Sequence, residues 1–247
     1  MDKNISIIIQ YDGTRYKGWQ KQGNTRDTIQ GKLEHILFKM TGSEIEVHGS
    51  GRTDAGVHAY GQHANFHIDT DMTPEEIMNY MNTYLPADIG VIKAWQASPR
   101  FHSRLNALKK TYRYRIHTGN VPDIFTSRYS WTYGKPLDIE AMIKAAGFLT
   151  GTHDFKSFTD LKRSKKSTVR YIEKIAIDSD GQCLQIEITG NSFLYHMVRI
   201  IVGTLVEAGE GKRSPEEMAS VLDACSREAS GQLAPASGLM LMKVYYD

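Results

Sequence analysis

Arg52 and Asp54, separated by one threonine, sit in the stretch GSGRTDAGVHAYGQHANF at residues 49 to 66, a run of small residues between two strand-like segments. A loop of that kind can display a reactive carboxylate, which acts as a nucleophile or a general base when it is held ionised and aimed. Gly49, Gly51 and Gly56 permit a backbone that other residues resist, and they let a second molecule approach closely. The same three residues in isolation also read as a tight turn, with the aspartate accepting backbone hydrogen bonds and the arginine in water. A partner for the carboxylate is what would separate the two readings.

Arg199 is a candidate partner. It lies in FLYHMVRIIVGTLV, which reads as a helix apolar around most of its circumference and therefore buried. An arginine does not shed its proton, and an unpaired charge in the interior costs several kcal/mol. That helix offers no carboxylate before Glu207, so the expected partner comes from elsewhere in the chain, with Asp54 the candidate. The alternative is that Arg199 reaches the surface along its aliphatic stem.

A third site of chemistry is KKTYRYRIHT, beginning at Lys109. In a strand, Tyr112, Tyr114 and Ile116 share one face and Arg113, Arg115 and His117 the other. The tyrosines are core residues of a half-buried strand, or one of them lines a pocket where it stacks on a base or moves a proton. The pattern leaves both open.

His48, His58, His63 and His67 lie near Asp54 and Asp69 in sequence, which raises a hydrolytic metal site as a rival. No HxxxH helix or Cys-His spacing supports one, and Cys183 and Cys225 are too far apart to outline a zinc site or a disulfide framework. There is no P-loop, no GxGxxG after a strand and no nucleophile-elbow serine. Neither a metal nor a cofactor is expected.

The elements that must position these residues are legible from periodicity. NISIIIQYD reads as a buried strand ended by Asp12-Gly13, and TIQGKLEHILFKMTG as an amphipathic helix stopped at Gly42. Strands are expected at EIEVHGS and GQHANFHID, on either side of the Arg-Thr-Asp loop. TPEEIMNYMNTYLP carries an N-cap threonine, a first-turn proline and Glu76 three residues on, so it opens a second helix. TYRYRIHT is the next strand. DIEAMIKAAGFLTG reads as a helix, YIEKIAIDSDGQCLQIEITG as a hairpin and FLYHMVRIIVGTLVEAG as a long helix. A capped helix begins at Ser214-Pro215, and GLMLMKVYY closes the chain as a strand. The order predicts an α+β protein of two α/β subdomains, residues 1–105 and 106–247, with the boundary falling between 105 and 137.

Composition sets the wider limits. The chain has 247 residues, 40% hydrophobic and 23% charged, with 30 basic and 28 acidic side chains. That is a globular composition with no run long enough to span a bilayer. The start, MDKNISIIIQYD, lacks the basic flank and cleavage site of a signal peptide, so a cytoplasmic protein is expected. Net charge says little, but its distribution says more. Arg100, Arg104, Lys109, Lys110, Arg113 and Arg115 form a run without an acid, as do Lys162, Arg163, Lys165, Lys166 and Arg170. Such runs are commonly solvated faces. The first interleaves Phe101, Tyr112 and Tyr114 with its cations, a pattern that suits phosphate contact and base stacking in RNA.

Taken in order, YDGTRYKGWQKQ, GSGRTDAGVHA, FHSR, KKTYRY, GTHDFKSF, FLYHMVR and APASGL resemble the motifs of the TruA family of tRNA pseudouridine synthases, nearly end to end. A departure is the serine of FHSR, where the family often has alanine. The resemblance implies a central, mainly antiparallel sheet shared by the two subdomains, with the active-site cleft between them. It implies cofactor-free isomerisation of uridine at positions 38, 39 and 40 of the tRNA anticodon stem-loop, by a homodimer. Asp54 matches the catalytic aspartate, as nucleophile or as base in a glycal route, and Arg52 and Arg199 match the arginines beside it. Tyr112 matches the tyrosine that packs against the target base, and Arg104 an active-site arginine that helps to hold RNA. Arg15, Lys17, Lys109 and Lys110 are further candidates for RNA contact. The rivals are the same chemistry on another RNA, a non-catalytic RNA-binding protein and a metal-dependent hydrolase.

Overall fold

The computed structural model describes residues 2–161 and 167–247. The chain divides into two compact units, Met1–Leu108 with Leu241–Asp247, and Lys109–Met240. Each is an α+β arrangement on a mainly antiparallel sheet. Among the described residues, no helix is long and apolar enough to cross a membrane.

The first unit is organised by β1 (Asp2–Tyr11), which lies between β3 (His58–Asp69) and β4 (Ile89–Gln96) and is antiparallel to both. Its odd positions, Ile5, Ile7 and Ile9, are fully buried, as are Phe66 and Ala64, the register partners of Ile5 and Ile7. Each such isoleucine contributes about 1.5–3 kcal/mol relative to exposure. The even positions carry Asn4 and Ser6, also buried, and this polar face is used to hold a loop described below. Helix α1 (Ile29–Thr41) starts at Thr28, whose hydroxyl accepts from the Gly31 amide, and stops where Gly42 turns left-handed. Helix α2 (Pro74–Tyr84) has the expected capping box between Thr73 and Glu76, touches α1 and packs on β4.

The EIEVHGS segment forms only the two-residue strand β2 (His48–Gly49) beside β3. The reason is local. The amide of Val47 donates to the Glu34 carboxylate (3.2 Å), and its carbonyl accepts from the Gln30 side chain (3.3 Å). Side chains of α1 thus take the bonds that a strand ladder would have used.

In the second unit, β5 (Lys109–His117) pairs with β9 (Cys183–Gly190), which pairs with β8 (Val169–Asp180), and β7 (Gly151–Asp154) pairs with β8. Tyr112, Tyr114 and Ile116 are buried opposite Ile188, Ile186 and Leu184, as alternation requires. A short strand, β6 (Trp131–Thr132), runs parallel to the end of β5. Helix α3 (Ile139–Gly147) is capped by Asp138 and packs on β8 and on α4 (Met197–Gly209). Helix α5 (Glu217–Asp223) follows, and β10 (Leu239–Tyr245) carries the chain back into the first unit from Leu241.

The long helix expected from Phe193 begins only at Met197. His196 stands before it with φ of 64°, a left-handed conformation that a helix cannot continue through. His117, expected on the cationic face of β5, is instead buried, with its Nε2 2.7 Å from the Val121 carbonyl.

Candidate active site

The Arg-Thr-Asp loop joins β2 to β3, and its flanks are fastened on both sides. Ser50 is fully buried. Its amide donates to the His63 carbonyl (2.7 Å) and its hydroxyl to Oε1 of Gln62 (2.6 Å), while the Gln62 amide donates to the Gly51 carbonyl (2.9 Å). Thr53 is buried, and its hydroxyl lies 2.8 Å from that of Tyr11. The Val57 amide donates to the Asp54 carbonyl at 3.1 Å, closing a backbone turn.

The segment YDGTRYKGWQ lies directly against this loop. The Trp19 amide donates to the Thr53 carbonyl (3.0 Å) and the Gly56 amide to the Tyr16 carbonyl (3.3 Å). Gly18 has φ of +92°, and a Cβ there would stand 2.6 Å from the Thr53 oxygen; one on Gly13 would stand 2.0 Å from the Val57 oxygen. Two backbones meet here without side chains between them, which only glycine allows. The loop therefore presents its central residues in sequence: Arg52 exposed, Thr53 buried as the anchor, Asp54 half-buried.

In the second unit, Arg199 is the third residue of α4 and is half-buried, less enclosed than the apolar helix predicts. Its Nε donates to the Ala234 carbonyl (2.7 Å), and the Ala234 amide donates back to the Arg199 carbonyl (3.3 Å). The segment APASGL is thus strapped to the first turn of α4. It is also strapped to β5, because the Tyr114 hydroxyl donates to the Pro235 carbonyl at 2.7 Å. Burial pushes that hydroxyl well above its usual pKa, so Tyr114 is a neutral, structural tyrosine. Tyr112 is buried two residues earlier, its ring meeting Phe193 edge to face at 5.1 Å. Asp54 and Arg52 belong to the first unit, Tyr112 and Arg199 to the second.

Arg104 is exposed at the end of the FHSR turn, in the first unit. The turn is held through Ser103, which is fully buried. Its amide donates to the Asn65 side chain (2.8 Å), its hydroxyl to the His48 carbonyl, and its carbonyl accepts from the Tyr246 hydroxyl (2.6 Å). The Asn65 amide donates to Asn4 (3.0 Å), whose own amide donates to the carbonyls of Ser98 (2.8 Å) and Phe101 (2.9 Å). The buried polar face of β1 and β3 is therefore the mount of the Arg104 turn.

Of the remaining cations, Arg15 is exposed but ion-paired with Asp88 at 2.5 Å, and Lys17 is exposed. Lys109 pairs with Glu173 (2.9 Å) and Arg113 with Glu187 (2.7 Å), so the cationic face of β5 is in good part a salt-bridged face. Lys110 is half-buried opposite Gly190. In the second basic run, Lys162, Arg163, Lys165 and Lys166 lie outside the described residues. Arg170 turns its guanidinium back on its own chain, to the carbonyls of Ser167 (2.9 Å) and Val169 (2.6 Å).

The histidines have structural partners. His63 is buried, hydrogen-bonded to the Ser6 hydroxyl (2.7 Å), and burial lowers its pKa to about 4. His67 is exposed beside Asp2 (3.2 Å). Among the described residues, no group of three or more His, Cys, Asp or Glu is placed to hold a metal ion.

Sequence reasoning missed the supports: Tyr11, Gly18 and Gln62 under the Arg-Thr-Asp loop, and Asn4 and Asn65 behind Arg104. The asparagines lie in strands that also carry Ser6, Gln62 and His63, so polarity alone does not single them out. Nothing local marks Gln62.

The family model for tRNA pseudouridine synthase matches residues 7–104 and 145–247. A tRNA pseudouridine synthase A from Bacillus sp. (strain KSM-64) is 45% identical over 238 residues, covering 96% of this chain and 97% of that protein. A tRNA pseudouridine synthase A 1 from Clostridium tetani is 46% identical over 244 residues, covering 99% of this chain and 100% of that protein. Among solved structures, a chain of a Cbf5-Nop10-Gar1 complex aligns with a TM-score of 0.41 at 11% identity, covering 96% of this chain and 49% of that one. With a family model spanning most of the chain and relatives matching it nearly end to end, this chain belongs to the tRNA pseudouridine synthase family.

Proposed function

We propose that the protein isomerises uridine at positions 38, 39 and 40 of the tRNA anticodon stem-loop, without metal or cofactor, through Asp54. Family membership gives the reaction class, an isomerase acting on uridine in tRNA. The observation that carries the residue assignment is the mounting of Asp54. It emerges half-buried from a loop whose neighbour Thr53 is locked to Tyr11 and whose backbone is locked to Trp19 and Tyr16. A carboxylate fixed in this way meets the positional demand of a nucleophile or base.

The balance of the reaction is internal. The bond from ribose C1′ to N1 breaks, the base turns, C1′ bonds to C5, and the C5 proton is lost as N1 gains one. The Asp54 carboxylate either attacks C1′ or removes a ribose proton to give a glycal. Arg52 and Arg199 are the cations assigned to this carboxylate, and Tyr112 packs against the base. Arg104, and beyond it Arg15, Lys17, Lys109 and Lys110, contact the RNA backbone. The aspartate loop belongs to the first unit, and Tyr112 and Arg199 belong to the second. A stem base must leave its stack to react, at a cost of about a few kcal/mol. The enzyme works as a homodimer in the cytoplasm.

The test is a map of pseudouridine in unmodified tRNA transcripts treated with the purified protein and with Asp54→Asn, chelator present. Product in the anticodon stem-loop from the wild type alone supports the reading. Equal product from Asp54→Asn removes the aspartate from the mechanism, and product confined to other positions removes the proposed address.

A further inference from the structure

Four residues before Arg199, the chain exposes a braced aromatic ring that the reaction as described does not use. Tyr195 is 50% exposed, yet its ring lies on that of His196 with centroids 3.6 Å apart and planes 26° apart. One face of the tyrosine ring thus lies against the histidine, while half of the residue's surface is open. His196 is itself enclosed, with 13% of its side chain exposed, and its Nδ1–H donates to Oδ2 of Asp160 at 2.5 Å.

The brace continues inward. Oδ1 of Asp160 accepts from Nε of Arg227 (2.9 Å), and Arg227 also donates to the Ser230 hydroxyl (3.0 Å) and the Gly231 carbonyl (2.9 Å). The Ser230 hydroxyl donates to the Ser157 carbonyl at 2.6 Å, and the Tyr195 carbonyl accepts from the buried Thr159 hydroxyl at 2.9 Å. Burial raises the Asp160 pKa, but the bonds from His196 and Arg227 outweigh it and hold the carboxyl below its ordinary value. His196 is held at φ of 64°, a left-handed conformation that a residue with a Cβ keeps only where its surroundings impose it. An exposed tyrosine on a flexible surface would need none of this. The arrangement braces a half-exposed aromatic ring on the same seven-residue segment whose Phe193 meets Tyr112 and whose Arg199 holds Ala234.

We propose that Tyr195, clamped on His196, is a stacking platform for an unpaired base of the RNA substrate. The proposal rests on the reading of the protein as an RNA enzyme and adds a base contact to it. Base stacking on an aromatic ring suits this surface because it asks for a rigid plane and tolerates any base. The hydroxyl is not required.

The test measures binding of a fluorescently labelled RNA hairpin with an unpaired loop to the wild type and to Tyr195→Phe, Tyr195→Trp, Tyr195→Leu and Tyr195→Ala. Stacking predicts that the Ala and Leu variants bind about 5- to 150-fold more weakly, while Phe and Trp stay within about twofold of wild type. A hairpin with abasic sites in its loop should lose affinity for the wild type and little more for Tyr195→Ala. Wild-type affinity in Tyr195→Ala overturns the proposal, and so does wild-type affinity in Tyr195→Leu, which keeps apolar contact without a plane. Pseudouridine is read in parallel on tRNA. Binding that depends on the ring without any product leaves the platform standing and removes the synthase reading; product with ring-independent binding does the reverse.

Discussion

The hydroxyls of Tyr11 and Thr53 meet at 2.8 Å inside the protein, tying the end of β1 to the residue before Asp54. Burial pushes the Tyr11 hydroxyl well above its usual pKa, so it stays neutral at any working pH. Tyr11→Phe leaves the buried Thr53 hydroxyl short of a partner, at a cost of about 1–3 kcal/mol. Turnover on tRNA should fall further than a fully folded fraction explains, because the loop beside Asp54 loses its anchor. Urea unfolding and single-turnover kinetics on the same preparation check this. A destabilised variant with unchanged turnover would show that the anchor serves folding alone.

Gly18 tests the backbone contact in the same place. At φ of +92°, with the Thr53 oxygen 2.6 Å from where a Cβ would stand, Gly18→Ala has both a strained conformation and a clash with backbone. We expect a loss of more than about 1 kcal/mol in stability and a larger loss of activity. Gly23→Ala is the matched control, since nothing lies within 4 Å of its Cβ position. It should unfold within about 0.5 kcal/mol of the wild type. Equal behaviour of the two variants would remove the close approach from the account.

His63 makes stability depend on pH. Its folded pKa is lowered by burial from 6.5 to about 4. Between these values the unfolded chain takes up a proton that the folded chain refuses, so stability is full above about pH 6.5 and falls as pH drops toward 4. The whole difference is on the order of 3 kcal/mol. Urea midpoints taken from pH 7 to pH 4.5 should fall more steeply for wild type than for His63→Gln, which has no proton to bind. Parallel curves would mean that His63 titrates normally.

The parts of this protein that follow from local rules were legible in its sequence. Ile5, Ile7 and Ile9 announce a strand by alternation, and Thr73 with Glu76 announces a helix start by side-chain chemistry within one turn. The loop that carries Asp54 was legible because Gly49, Gly51 and Gly56 interrupt the strand pattern on either side of it. What was not legible depends on residues far apart in the chain. The strand expected at EIEVH is cut short by Gln30 and Glu34, whose side chains take the backbone bonds of Val47. On the cationic face of β5, Lys109 and Arg113 are paired with Glu173 and Glu187, which no window around Lys109 or Arg113 contains. The left-handed turn at His196 is fixed by Asp160 and Arg227, and a helical pattern that reads straight through it cannot register that.

Gly203 makes such a long-range constraint measurable. It lies inside α4, where replacing glycine by alanine ordinarily stabilises a helix by about 1 kcal/mol. Here a Cβ would stand 1.8 Å from the Gln232 carbonyl oxygen, so the sign reverses and overpacking costs about 1–3 kcal/mol. The displaced segment is bound to the same helix on both sides of Gln232, through the Gly231 amide on the Thr204 hydroxyl (2.9 Å) and the Ala234 carbonyl on Arg199 (2.7 Å). Pushing Gln232 outward therefore moves the acceptor that orients Arg199. Gly203→Ala should lower both the urea midpoint and the rate of pseudouridine formation, and Gly203→Ser should do the same. A variant more stable than wild type, with full activity, would show that the segment from Gly231 to Ala234 yields freely and does not orient Arg199.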